Sequence, residues 1–349
     1  MTGAPRLTIA GGYGVFGRTL AREVLDSTPA HVVIAGRDPR RATRLCQALG
    51  AGERAEPRAL DLRCVEAVGA AAAGCFALAC TAGPFQGLDP RLPRAVAEAG
   101  CHWLDISDFS TWVVTLLADQ TLHDTAVDRG VAVIPGLSTV PALSGAVVRW
   151  ACERLTDAQR ARVVLFIGNR NAKGAAAIAS ARMSGYDEPV LVDLPIGRRR
   201  AYRLDSPDEI LLGQELGLHV EFRVALEWNL AGRVLALMRR RSKPSETTPG
   251  ARLARWLSAL TAPLSRFGSD AGGLSVEVFG RRGRSLRATL TGHGQRLAVL
   301  PCVLALEALL RGDVLGPGCV NPTTWLPPDE WLARLRARAI VFEARPSPA

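Results

Sequence analysis

Gly12, Gly14 and Gly17 stand in the spacing G-x-G-x-x-G inside the stretch Ile9-Ala10-Gly11-Gly12-Tyr13-Gly14-Val15-Phe16-Gly17-Arg18. Glycines so spaced let a chain turn tightly, approach a pyrophosphate with its backbone, and pack the following helix close on the preceding strand. The unpaired N–H groups at the start of that helix, with its positive dipole end, would then hold the phosphates. Gly11, Tyr13, Val15 and Phe16 complete the stretch that would line them. An ordinary glycine-rich turn with no ligand is the competing reading, and the flanks weigh against it. Arg6 to Ala10 reads as a short apolar strand, and Val15, Phe16, Thr19, Leu20 and Val24 carry helical spacing through Leu25.

The end of the second strand selects between dinucleotides. An Asp or Glu there binds the ribose 2′-hydroxyl of NAD, whereas an arginine accommodates the 2′-phosphate of NADP. Here His31 to Ala35 leads into Gly36-Arg37, with Arg40 and Arg41 one turn on. Gly36 leaves room for a 2′-phosphate, Arg37 can grip it bidentately, and Arg41 joins it. Asp38 dissents as a candidate ribose acid, but its place before Pro39 suits the N-cap of the helix from Pro39 to Leu49. NADP(H) is therefore the expected cofactor. Asp61 either borders the adenine or is a plain loop acid.

Two further strand ends carry chemistry. The fourth strand, Phe76 to Thr81, ends in Ala82-Gly83-Pro84-Phe85, a turn small enough to pass the pyrophosphate and nicotinamide with Phe85 as a wall; a simple Gly-Pro turn is the alternative. The fifth ends in Leu104-Asp105-Ile106-Ser107-Asp108 and puts carboxylates at the crevice. Asp105 could orient an amine or relay a proton there, while Asp108 or Ser110 competes as the cap of the next helix. The proton relay Tyr-x-x-x-Lys is excluded, because Tyr13, Tyr186 and Tyr202 are followed four positions on by Gly17, Val190 and Ser206. No cysteine-histidine set has the form of a catalytic zinc site, no G-x-S-x-G elbow occurs, and His102 and His219, within apolar strands, read as structural.

These residues need a scaffold, and 349 residues suffice for two domains. Residues 1–135 alternate strand and helix, which predicts an α/β domain of Rossmann type, a doubly wound parallel sheet that binds NADP. The pattern places a weak third strand over Ala59 to Leu62 and one long helix over Thr111 to Arg129. Residues 136–300 read as an α+β domain for substrate. Its runs Val190 to Leu194, His219 to Val224, Leu274 to Phe279 and Leu286 to Thr291, with no regular helix between them, predict a mainly antiparallel sheet. Residues 301–349 read as a helical part packing back on the first domain. Leu297 to Leu310 is a buried helix, too short to span a bilayer. Residues 239–250 read as a loop between amphipathic segments carrying Leu230, Val234, Leu253 and Trp256, a cover for the second sheet rather than a membrane surface.

Hydrophobic content of 48% with 22% charged residues fits a globular chain. A formal charge of +10 would suit nucleic acid, membrane or anionic small molecules. Arginine is spread along the chain without an aromatic-basic module or zinc-finger spacing, so nucleic acid is not expected. Eight cysteines without a C-x-x-C pair predict small core thiols and no metal. The chain runs from Met1 into its first strand without a signal-peptide core, so a reducing cytoplasm is expected.

Taken together, Ala10-Gly-Gly-Tyr-Gly-Val-Phe-Gly-Arg18, Ile34-Ala-Gly-Arg37, Ala82-Gly-Pro-Phe-Gln86, Leu104-Asp-Ile-Ser-Asp108 and Pro135-Gly-Leu-Ser-Thr-Val-Pro-Ala-Leu-Ser-Gly145 resemble the saccharopine dehydrogenase-like NADP-binding domain. The resemblance covers roughly the first 150 residues and continues more weakly through Asn171-Ala-Lys-Gly174 and Met183-Ser-Gly-Tyr186. It implies an NAD(P)-dependent oxidoreductase with an α+β domain over the cofactor. Beside Asp105, Lys173 could bind an anionic group or donate a proton, against the plainer reading of a solvated loop lysine, and Tyr186 could be a general acid or a packing residue at a domain interface. The family often has Asp-x-x-Gly-Glu after the fifth strand, and this chain departs from it with Asp105-Ile-Ser-Asp108. The expected activity is hydride transfer between NADPH and an imine, carbonyl or activated alkene of a small molecule. The alternative is an NADP-binding scaffold or sensor without catalysis, on a membrane surface or not; a homodimer stays open.

Overall fold

The computed structural model describes residues 3–171, 189–228, 268–313 and 316–347. Two compact units emerge: Met1–Ala142 with Ala298–Trp325, and Leu143–Leu297 with Leu326–Ala349. In chain order the first holds β1 (Arg6–Ala10), α1 (Val15–Ser27), β2 (His31–Gly36), α2 (Pro39–Leu49), β3 (Ala55–Ala59), α3 (Val65–Ala72), β4 (Ala77–Cys80), α4 (Leu92–Glu98), β5 (His102–Asp105), α5 (Ser110–Ala118), α6 (Gln120–Asp128) and β6 (Ala132–Ile134). There follow α7 (Ser144–Arg154), β7 (Ala158–Ile167), β8 (Val190–Leu194), β9 (Gly197–Arg203), α8 (Pro207–Leu216), β10 (His219–Leu226), β11 (Ala271–Gly280) and β12 (Ser285–His293). The chain closes with α9 (Arg296–Arg311), β13 (Gly318–Cys319), α10 (Pro328–Arg336) and β14 (Val341–Ser347).

The first unit's sheet has the order β13-β6-β5-β4-β1-β2-β3, every described pair parallel. The order reverses between β1 and β4, and a crevice forms at the carboxyl ends of strands where that happens. Leu7, Ile9, Val32, Ile34, Leu78 and Leu104 are buried in this sheet, and α1 lays Leu20, Ala21 and Val24 against it. Local chemistry explains the ends of α2. Asp38 accepts the Arg40 and Arg41 N–H groups at its start, and Gly50 closes it in the left-handed region at φ 64°.

Two expectations need correction here. The third strand runs over Ala55–Ala59, not Ala59 to Leu62. It is an edge strand with Pro57 inside and no buried residue, so it has no apolar run to announce it; Leu60 and Leu62 are buried in the loop beyond. The long helix over Thr111 to Arg129 is two helices. Asp119 takes extended geometry between them, accepts the Leu122 N–H as N-cap of α6, and pairs with Arg94.

The second unit's sheet has the order β14-β12-β11-β7-β10-β9-β8. It is antiparallel except that β10 pairs with β7 in parallel, and α8 lies in the chain between them, although the sequence pattern shows no regular helix there. The order of residues across four strands, Glu221, Arg162, Glu277 and Arg287, alternates in sign in register, which favours this pairing over a slipped one. Farther along the same sheet Val164, Phe166, Val192, Leu194, Ala201 and Ala225 form an apolar cluster. Residues 301–349 divide between the units at 325, because β14 pairs along β12 while β13 pairs with β6.

One buried acid in this unit makes stability depend on pH. Asp208, fully buried in the first turn of α8, has its carboxyl pushed up to about 7 by burial, against the pull of the Ser144 hydroxyl. Between about pH 4 and pH 7 the folded chain keeps a proton that the unfolded chain releases, so stability falls as pH rises through that window, by up to roughly 4 kcal/mol. Urea unfolding at stepped pH should show this fall, and Asp208→Asn should flatten it. An unchanged slope in the variant would remove Asp208 as its source.

Candidate functional site

The crevice is built around the turn after β1. Gly11 takes φ +77°, open to glycine, and a Cβ there would meet Ala82 of the β4 turn at 2.9 Å. The two turns therefore lie backbone to backbone, and the Thr81 N–H and hydroxyl both reach the Ala10 carbonyl, at 2.9 and 3.0 Å. On the other side the N–H groups of Gly11 and Gly12 both reach the Ala35 carbonyl, at 2.9 and 3.1 Å. A Cβ at Gly17 would run into the Gly11 carbonyl oxygen and lie 2.6 Å from the Gly12 Cα, so the helix can pack this closely only without one.

Gly14 is the N-cap of α1 and supplies no capping side chain; the first turn, from Val15, Phe16 and Gly17 onward, carries no acid. The helix start is thus bare of competing anions and open to an anionic ligand. The residues fit a dinucleotide phosphate on this observation.

Around the end of β2 the structure corrects one expectation. The space that Gly36 leaves is filled by the ring of Tyr13, whose atoms lie 2.5–2.8 Å from where a Cβ would stand. The Tyr13 hydroxyl accepts the Asp38 N–H at 3.0 Å, and the Arg41 guanidinium sits over the ring at 4.6 Å from its centre. Asp38 is held in its capping role, its Oδ1 accepting the Arg40 and Arg41 N–H groups at 3.0 and 3.2 Å. Arg37 is exposed and, with Ala59, Leu60, Asp61, Ala67 and Ala71, lines a cavity of roughly 310 Å³. Asp61 is thereby brought beside Arg37. The Arg63 side chain and backbone N–H hold its carboxyl down to about 2, with Arg37 adding to the pull.

The β4 turn divides its residues. Gly83 and Pro84 are exposed, whereas Phe85 turns inward, its ring 5.7 Å from that of Trp112. Phe85 is thus packed inward and is not an exposed wall. Asp105 is fully buried and accepts four N–H donors: Oδ2 takes the indoles of Trp103 and Trp112, both at 2.9 Å, and Oδ1 takes Ser107 and Gly136, at 2.9 and 3.0 Å. Burial pushes its carboxyl up, and the four donors oppose that. Its lone pairs are engaged, so Asp105 ties the β5 turn to the turn after β6 instead of facing a substrate. The two tryptophans were not read from the sequence, although Trp103 and Asp105 lie two apart on one face of a strand. His102 is structural, accepting the Ala132 N–H at 2.8 Å, while His219 is exposed at the start of β10. All eight thiols are free, and Cys75, Cys80, Cys101 and Cys302 are buried. Lys173, Tyr186, the loop 239–250 and the amphipathic segments carrying Leu230, Val234, Leu253 and Trp256 lie outside the described residues.

Residues 8–134 match the family model of the saccharopine dehydrogenase NADP binding domain. The apo saccharopine dehydrogenase (L-Glu forming) of Saccharomyces cerevisiae aligns over 99% of this chain and 100% of its own, with a TM-score of 0.67 at 12% identity. Residues 8–134 are thus similar to a saccharopine dehydrogenase NADP binding domain. At that identity the likeness to the yeast enzyme is one of fold. GenD2 from gentamicin A biosynthesis, in complex with NAD, covers 100% of this chain and 98% of its own, at 14% identity and a TM-score of 0.45. None of the curated proteins matches the sequence. Among the described residues no helix is long and apolar enough to cross a membrane.

Proposed function

We propose that the chain is an NADP-dependent oxidoreductase that transfers hydride between NADPH and an imine, carbonyl or activated alkene of a small molecule. The observation that carries the cofactor choice is the engagement of Asp38: its Oδ1 caps α2, which leaves Arg37 and Arg41 as the charged side chains for the ribose end. Backbone of Gly12, Gly14 and the first turn of α1 would hold the pyrophosphate, and Arg37 and Arg41 the 2′-phosphate. Asp61 and its cavity would border the adenine, and Ala82, Gly83 and Pro84 the nicotinamide end. When bound, the dinucleotide supplies or accepts the hydride. Asp105 would keep the β5 and β6 turns in place, leaving Lys173 and Tyr186 as the candidates for binding substrate and moving its proton.

Paired titration calorimetry with NADPH and NADH tests this reading. NADPH should bind at least about tenfold more tightly, and Arg37→Asp should abolish or invert the preference, since it exchanges a bidentate phosphate grip for repulsion. Equal binding would return the ribose to Asp38. NADPH oxidation with a panel of amine and carbonyl pairs then tests turnover. A second reading, an NADPH-holding scaffold or sensor without catalysis, draws support from Asp105, whose carboxylate is spent on four N–H groups. Tight NADPH binding with no turnover on any pair would favour it.

A further inference from the structure

Tyr13 joins three features that local sequence keeps apart. Its ring occupies the place of a side chain at Gly36, carries the Arg41 guanidinium on its face, and ends in a hydroxyl that accepts the Asp38 N–H. A phenol that accepts one hydrogen bond still has its own hydrogen to donate, and no described residue receives it. The groups Tyr13 organises at the end of β2 are therefore donors, its own O–H and the Arg41 guanidinium, and Arg37 follows Gly36 in the chain. A phosphate dianion accepts hydrogen bonds and donates none, so donors suit it, whereas a ribose hydroxyl at this place is bound by a carboxylate.

We propose that Tyr13 is a specificity-determining residue that donates its hydroxyl hydrogen to the 2′-phosphate while its ring seats Arg41 for the same group. Gly36 is needed in this arrangement to admit the ring, rather than to leave a void for phosphate. The proposal rests on the dinucleotide reading above and deepens it.

Calorimetric titration with NADPH, NADH and 2′,5′-ADP, each on the full chain, separates the two. Tyr13→Phe keeps the ring and loses the hydroxyl, both as donor and as acceptor of the Asp38 N–H; it should weaken NADPH and 2′,5′-ADP about tenfold and leave NADH within about twofold. Tyr13→Leu also removes the seat of Arg41 and should weaken both 2′-phosphorylated probes further. A change in the NADPH-to-NADH ratio is a result that a merely structural tyrosine would not produce, and melting temperatures of the variants check their folding. An unchanged ratio in a folded Tyr13→Phe protein overturns the proposal and leaves the dinucleotide site standing. Failure of the wild-type chain to bind either dinucleotide overturns both.

Discussion

Gly14→Val should give a protein that folds and yet binds NADPH at least about 100-fold more weakly, because a side chain at the bare N-terminus of α1 takes the place of the phosphates. The backbone at Gly14, with φ −71° and ψ 180°, is open to any residue, and an added Cβ meets only the Gly11 carbonyl oxygen, at 3.0 Å. Gly17→Ala is the contrasting case. Its single methyl points into the backbone of Gly11 and Gly12, so the turn itself must move. That variant should lose binding together with roughly 1–3 kcal/mol of stability, the usual cost of forcing extra atoms into close packing. Calorimetry and urea unfolding on both variants check the pair. If Gly14→Val binds NADPH as the wild type does, the phosphates do not sit at this helix.

Asp105→Asn should cost roughly 3–5 kcal/mol, although the amide has nearly the shape of the carboxylate. Whichever way the amide is turned, its NH2 faces two N–H donors, either the indoles of Trp103 and Trp112 or the backbone of Ser107 and Gly136. Two buried donors then lose their acceptor in a site with no access to water. The measurement is the urea midpoint of the variant, and its tryptophan fluorescence tells the orientation in which the two indoles lose their partner from the one in which the backbone N–H groups do. A variant as stable as the wild type would mean that the carboxylate is not the clamp of these turns.

Part of this was legible without any structure because it is local. The boundaries of β1, the start of α1 and both ends of α2 follow from a run of apolar residues, a glycine spacing and an Asp-Pro cap, each complete within about a dozen residues. The alternation of strand and helix likewise implied a parallel sheet, because parallel strands need a crossover between them. The polar strands were not legible. Neither β9, with its run of arginines, nor the edge strand β3 has a pattern of its own; each is a strand because a neighbour pairs with it.

The sequence by itself therefore determined that a glycine turn would meet a helix start at the end of an apolar strand, and that arginines would follow the second strand. Those properties reside in backbone freedom and residue type. Only the tertiary structure decided what the side chains do. Asp105 is a clamp because Trp112 and Gly136, seven and 31 residues away, bring it their N–H groups. Gly36 is a socket because a ring from 23 residues earlier enters it, as the gap from Tyr13 shows. A carboxylate or a glycine carries the same possibilities wherever it stands, and distant partners choose among them.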